Sequence, residues 1–121
     1  MTNVAIALST FWNSFGIPAF LEEHVPDDVS LPYITYTQVQ PDWRETGSIQ
    51  ARIWYRGDSF VDVNAKVSEI ARVIGEGHSI PTNDGMVVLY KDMNFAQPQP
   101  FPEDSKIRVI YLNLIINAYT N

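Results

Sequence analysis

The chain has 121 residues, of which 45% are hydrophobic and 12% aromatic; this suits one folded domain, residues 1–121, and excludes a disordered chain. It has no cysteine, which removes disulfide scaffolds, thiolate zinc sites, iron–sulfur clusters and cysteine nucleophiles. The net charge is -6, no Lys or Arg precedes Arg44, and the later basic residues are scattered, which argues against a basic nucleic-acid-binding patch.

In chain order, Asn3 to Phe15 reads as a helix. Val4, Leu8, Phe11, Trp12 and Phe15 recur at helical spacing as one apolar stripe. Thr2 or Asn3 is the expected N-cap, and Gly16 and Pro18 end the helix. Ile17 to Pro32 carries three prolines and is expected to be an irregular acidic connector, pinned to the body by Phe20 and Leu21. Tyr33 to Val39 is dense in β-branched and aromatic residues and predicts a strand. Pro41 to Gly47 is a loop. Ile49 to Tyr55 is a second strand, with Ile49, Ala51, Ile53 and Tyr55 on one face and Gln50, Arg52 and Trp54 on the other. The two strands predict an antiparallel hairpin with a long polar tip.

A second helix is expected from Asp58 or Ser59, with Val63, Val67, Ile70, Ala71 and Ile74 as its apolar face and Gly75 and Gly77 as its stop. Ser59 with Asp62 makes a weak capping-box pattern, and Lys66 with Glu69 an i,i+3 ion pair. Asn83-Asp84-Gly85 is a turn, Met86 to Tyr90 a third strand, and Lys91 to Lys106 a long loop with three prolines. Ile107 to Tyr119 is the fourth strand. Its Ile110, Leu112, Leu114, Ile116 and Ala118 form an apolar face; Val109, Tyr111, Asn113, Ile115 and Asn117 form a mixed one. The expected fold class is α+β, an antiparallel sheet of about four strands with both helices packed on one face. No apolar run approaches the ~18 residues of a membrane-spanning helix, and the N-terminus lacks the basic n-region of a secretory signal.

Chemistry-bearing patterns are sparse. His24 lies among Glu22, Glu23, Asp27 and Asp28 in a proline-broken segment, which reads as a solvated acidic connector rather than a rigid ligand set. His78 reads as a turn residue beside a helix end. The adjacent carboxylates Asp27 with Asp28, and Glu103 with Asp104, do not face one another across a cleft as an acid/base pair must. No Gly-x-Ser-x-Gly, phosphate-binding loop, dinucleotide fingerprint or His-Glu-x-x-His occurs. The expectation is a non-enzymatic protein with no cofactor, no metal and no catalytic residues. Aromatic residues in loops stand out instead. Trp43 and Arg44 sit at the hairpin tip, Phe95 and Phe101 flank the proline-rich loop, and Trp54 interrupts a polar strand face. Together with Tyr111 and Tyr119 of the last strand, they are candidate anchors of a protein–protein interface.

The run Phe11-Trp12-Asn13-Ser14-Phe15-Gly16-Ile17-Pro18-Ala19 resembles the start of a family of small phage and prophage structural proteins. The resemblance continues through Val25 to Asp28, Leu31 to Tyr36, Ile53 to Arg56, Ala65 to Ala71, Phe95 to Gln97 and Arg108 to Asn113, in order along nearly the whole chain. The three alternating prolines between Gln97 and Asp104 depart from the pattern. The family is that of tail-completion, or tail-terminator, proteins of long-tailed phages, also described as minor capsid proteins. The resemblance implies a small α+β domain and a virion protein of the tail or neck, assembled in the bacterial host's cytoplasm. Such proteins form a homo-hexameric ring at the head-proximal end of the tail tube, stop tube growth and dock the head connector. The implied partners are further copies of the chain, the tube protein and the connector or stopper protein, with genomic DNA passing through the lumen without specific binding. An acidic lumen would repel phosphate, and Glu22, Glu23, Asp27, Asp28, Asp42 and Glu45 are the candidates to line it. A head-completion protein on the portal side, and a small acidic enzyme or ligand-binding domain, are the alternative readings.

Overall fold

The structure, a computed structural model, describes residues 3–37, 46–83 and 85–120. The first helix, α1 (Val4–Trp12), starts at Asn3, whose Oδ1 accepts the Ile6 N–H at 2.8 Å. It tightens into a 3-10 turn over Asn13–Phe15 and stops at Gly16, which takes φ +83 where a side chain would be strained. The second helix, α2 (Val61–Ile74), has its N-cap one or two residues later than the sequence predicts. Phe60 stands at its N-cap position without a side-chain cap, and Ser59 only accepts the Val61 N–H at 3.3 Å. Neither Asp58 nor the Ser59–Asp62 box is the cap.

The strands are β1 (Ala19–Leu21), β2 (Tyr33–Tyr36), β3 (Thr46–Arg56), β4 (His78–Thr82), β5 (Gly85–Gln99) and β6 (Ile107–Thr120). They form one six-stranded sheet in the order β1-β2-β3-β6-β5-β4. The expected four antiparallel strands are all present, and two edge strands are added. β1 lies within the segment expected to be irregular and pairs with β2 in parallel, so the sheet is mixed. β4 pairs antiparallel with β5, Thr82 opposite Gly85. The long loop expected after Tyr90 is also corrected. β5 runs on to Gln99 after a bulge, pairing Lys91 with Leu114 and then Ala96 with Leu112. The irregular loop is thereby reduced to residues 100–106.

The alternation expected of β3 and β6 is observed. Ile49, Ala51 and Ile53 face Leu114, Leu112 and Ile110 across the register, and all six are buried under the helices. Leu8, Phe11 and Trp12 of α1 and Val63, Val67, Ile70 and Ile74 of α2 complete one core with this face. The Trp12 ring stacks on Tyr36 at 6.1 Å, while its buried indole N–H has no partner among the described residues. Lys66 draws the helices together: its Nζ donates to the Phe15 carbonyl at 2.5 Å and pairs with Glu69 at 3.0 Å.

The sheet curls around α1, which touches both edge strands. At one edge the Asn13 carboxamide accepts the Ala19 N–H at 2.9 Å and donates to the Ala19 carbonyl at 3.4 Å, pairing with β1 much as another strand would. At the other edge the His78 ring lies 5.3 Å from Phe11, and Pro81 gives β4 one donor fewer. Both edges are thus blunted against strand addition, and among the described residues no α-helix covers the sheet face away from α1 and α2.

Candidate interaction surface

The uncovered face is built by the strand residues that alternate with the core. Register places Arg52 between Thr35 and Tyr111, and Trp54 between Tyr33 and Val109. Aromatic rings run diagonally across the strands toward the β5–β6 loop. Phe20 meets Tyr33 at 6.1 Å, Tyr33 meets Trp54 at 6.0 Å, and Trp54 meets Phe101 at 5.9 Å. All four are half-buried, their rings packed mostly edge to face. The Trp54 indole N–H donates to Thr35 Oγ1 at 3.0 Å, which fixes its rotamer and satisfies the buried Thr35.

Beside this row lies the cation of the face. The Arg52 guanidinium stacks 4.5 Å from the Tyr111 ring centroid, and its Nη1 pairs with Glu22 Oε1 at 2.9 Å. Its Nε is buried without a partner among the described residues. Both side chains of the pair are about one-third exposed, so the pair itself contributes no more than about 1 kcal/mol. Its effect is positional: Glu22 is drawn onto the aromatic face, its charge compensated. Further along, Gln50 donates to Asn113, and Asn113 donates to the Asn94 carbonyl at 3.0 Å, which ties the β5 bulge to the neighbouring strand. Asn94 in that bulge has φ +55, and Met93 beside it is 86% exposed. At the far end of the face the cross-strand pair Met86 and Tyr119 is exposed.

Beyond Phe101 the row opens into an apolar groove of about 490 Å³, walled by Phe60, Phe101, Ile107 and the prolines at 98, 100 and 102. Arg108 supports one wall, its guanidinium 5.2 Å from the Phe60 ring and bonded to the carbonyls of Gly57 and Asp58. Ion pairs of Arg56 with Asp104 and of Lys106 with Asp58 stand nearby. The Asp104 carboxyl is held below the ordinary carboxylate range, first by the Lys106 backbone N–H and then by the Arg56 hydrogen bond. On the helix side, burial pushes the Tyr55 hydroxyl up from its ordinary value, against the opposing pull of Lys66.

Of the interface residues expected from sequence, Trp54, Phe101 and Tyr111 come together on this surface. Tyr119 lies at its far end. Phe95 is on the other side of the sheet, half-buried against the core with the Lys91 ammonium 5.8 Å from its ring. Trp43, Arg44, Asp42 and Glu45 lie outside the described residues. Among the acidic candidates, Glu22 joins Arg52, while Glu23, Asp27 and Asp28 are exposed on the turns after β1. His24 is exposed in a 3-10 turn, and His78 belongs to β4 rather than to a turn. Among the described residues no group of three His, Asp or Glu side chains stands together as a metal site. The sequence reading did not single out Tyr33, Thr35 or Arg52 for this surface. The alternation of β2 carries the signal, once Thr35 is placed opposite Arg52.

No protein-family model and no curated protein matches the chain.

Proposed function

We propose that the chain is a structural virion protein that forms a homo-hexameric ring at the head-proximal end of a phage tail tube, ends tube growth and docks the head connector. The observation that carries this reading is the uncovered sheet face. Both sheet edges are blunted and the other face is filled by helices, while the uncovered face presents a continuous row of half-buried aromatics leading into an apolar groove. Such a surface suits repeated protein contacts. Ring closure needs two different complementary patches on each copy, because a heterologous contact repeats around an axis. The family resemblance along the chain supplies the tail assignment. In this reading Glu23, Asp27 and Asp28 face the lumen, where they repel the phosphates of passing DNA.

The test is electron microscopy of a lysate from a phage or induced prophage lacking this gene. Overlong, headless tails are expected. Tails of normal length beside detached heads would assign the chain to the portal side of the neck. Intact infectious particles would overturn both structural roles.

A further inference from the structure

We infer that the groove at the β5–β6 end of the sheet takes a protein segment in which an aromatic side chain stands beside a carboxylate. The ring enters the apolar slot and the carboxylate pairs with Arg108. The inference rests on the reading of this surface as a protein contact and names the chemistry of the partner. Its basis is an imbalance in charge pairing. Arg56 is paired with Asp104, and Lys106 with Asp58. Arg108 lines the groove itself and makes no ion pair among the described residues. Its Nε donates to the Gly57 carbonyl at 3.2 Å and its Nη2 to the Asp58 carbonyl at 3.0 Å, with the guanidinium 5.2 Å from the Phe60 ring. These contacts fix where the guanidinium points and supply no negative charge. Its Nη1 has no partner among the described residues.

The rest of the groove is walled by Phe60, Phe101 and the prolines at 98, 100 and 102. A purely apolar occupant would take the guanidinium out of water with nothing to replace its hydration, a cost that offsets the gain from the apolar walls. An occupant that brings an anion keeps both gains: a ring against prolines and aromatics, and a charge-assisted hydrogen bond at Arg108. The volume of about 490 Å³ holds a side chain with backbone beside it. The groove also continues the row of Tyr33, Trp54 and Phe101, along which an extended segment finds further contacts. Its walls are already formed. Each proline fixes its own φ. Asp104 ties the loop between them, its Oδ1 accepting the Lys106 N–H at 2.9 Å and its carbonyl the Ile107 N–H at 3.1 Å. Little ordering is therefore lost on binding.

The test titrates the full isotope-labelled chain with two peptides, acetyl-Ser-Asp-Trp-Ser-amide and its Asn analogue, followed by amide NMR. The Asp peptide is expected to shift the amides of Gln99, Phe101, Ser105 and Arg108. It is expected to bind about tenfold more tightly than the Asn peptide, the scale of a hydrogen bond between charged groups. Arg108→Gln is expected to remove this preference. Pro100→Glu, which keeps Arg108 and sets a carboxylate on the groove wall, is expected to remove it as well, with thermal unfolding confirming that both variants fold. Equal affinity for the two peptides, shifts confined to other surfaces, or no shift at the limit of peptide solubility would each overturn the inference. Indole-3-acetate binding as tightly as the Asp peptide would assign the groove to a free aromatic acid and overturn the assignment to a protein segment. None of these failures touches the ring reading, which is judged by the tail lengths of the deletion phage.

Discussion

Asn13→Ala probes how the sheet edge is kept closed. The Asn13 carboxamide accepts the Ala19 N–H at 2.9 Å, donates to the Ser9 carbonyl at 2.9 Å, and reaches the Ala19 carbonyl at 3.4 Å. Ala19 is 8% exposed, so water does not readily replace these bonds. Truncation leaves a buried donor unpaired, which costs about 1–3 kcal/mol. With unfolding entropy near 2.1 cal/mol/K per residue, each kcal/mol corresponds to about 4 °C in a chain of this length. The expected loss is therefore about 2 kcal/mol, or about 8 °C, measured by calorimetry and by urea unfolding with an unchanged m-value. Asn13→Asp keeps an acceptor for Ala19 but turns a second acceptor toward two carbonyls, so it does not restore the wild-type midpoint. The exposed β1 edge is also expected to raise concentration-dependent aggregation. An Asn13→Ala variant within about 0.5 kcal/mol of wild type would refute the edge-pairing argument, since that is the range of neutral surface changes.

Leu112→Ala, at a fully buried site in the central strand β6, is expected to cost about 2–5 kcal/mol in urea unfolding; a loss below about 1 kcal/mol would mean that the helices do not pack on this face. Gly77→Ala is expected to lower the melting midpoint by several degrees, because Gly77 has φ +154 and a Cβ there would stand 2.9 Å from Tyr90 Cε1; an unchanged midpoint would contradict this. Asp104 is expected to titrate below its ordinary value by carboxyl NMR, with Lys106 and Arg56 as the cause. Because the folded form holds the carboxylate, its contribution is complete above the ordinary carboxylate pKa and fades as the pH falls through the lower folded value. Arg56→Gln is expected to move that titration upward, and an unmoved midpoint would show that the backbone N–H acts alone.

Much of this architecture is legible in the sequence where one period dominates. The stripe of Leu8, Phe11, Trp12 and Phe15, the face of Val63, Val67, Ile70 and Ile74, and the alternation of β3 and β6 each obey one spacing, because each element buries one face. The missed elements depend on tertiary partners. β1 has three residues beside Pro18 and is strand only because β2 and the Asn13 carboxamide pair with it. β4 contains Pro81, which an edge position tolerates. β5 changes register at the bulge, so its far half loses the alternation by which Met86 to Tyr90 is recognised. On the surface, Trp54, Phe101 and Tyr111 were readable as aromatics out of place. Phe20, Tyr33 and Arg52 joined them only through the order of strands, which local periodicity does not encode.

The most direct measurement is a cryo-electron-microscopy reconstruction of the neck of the virion that carries this gene. The account predicts six copies of this curled six-stranded sheet as one layer between the last tube ring and the connector. A neck in which that layer is built from another chain, with this fold absent, would contradict it.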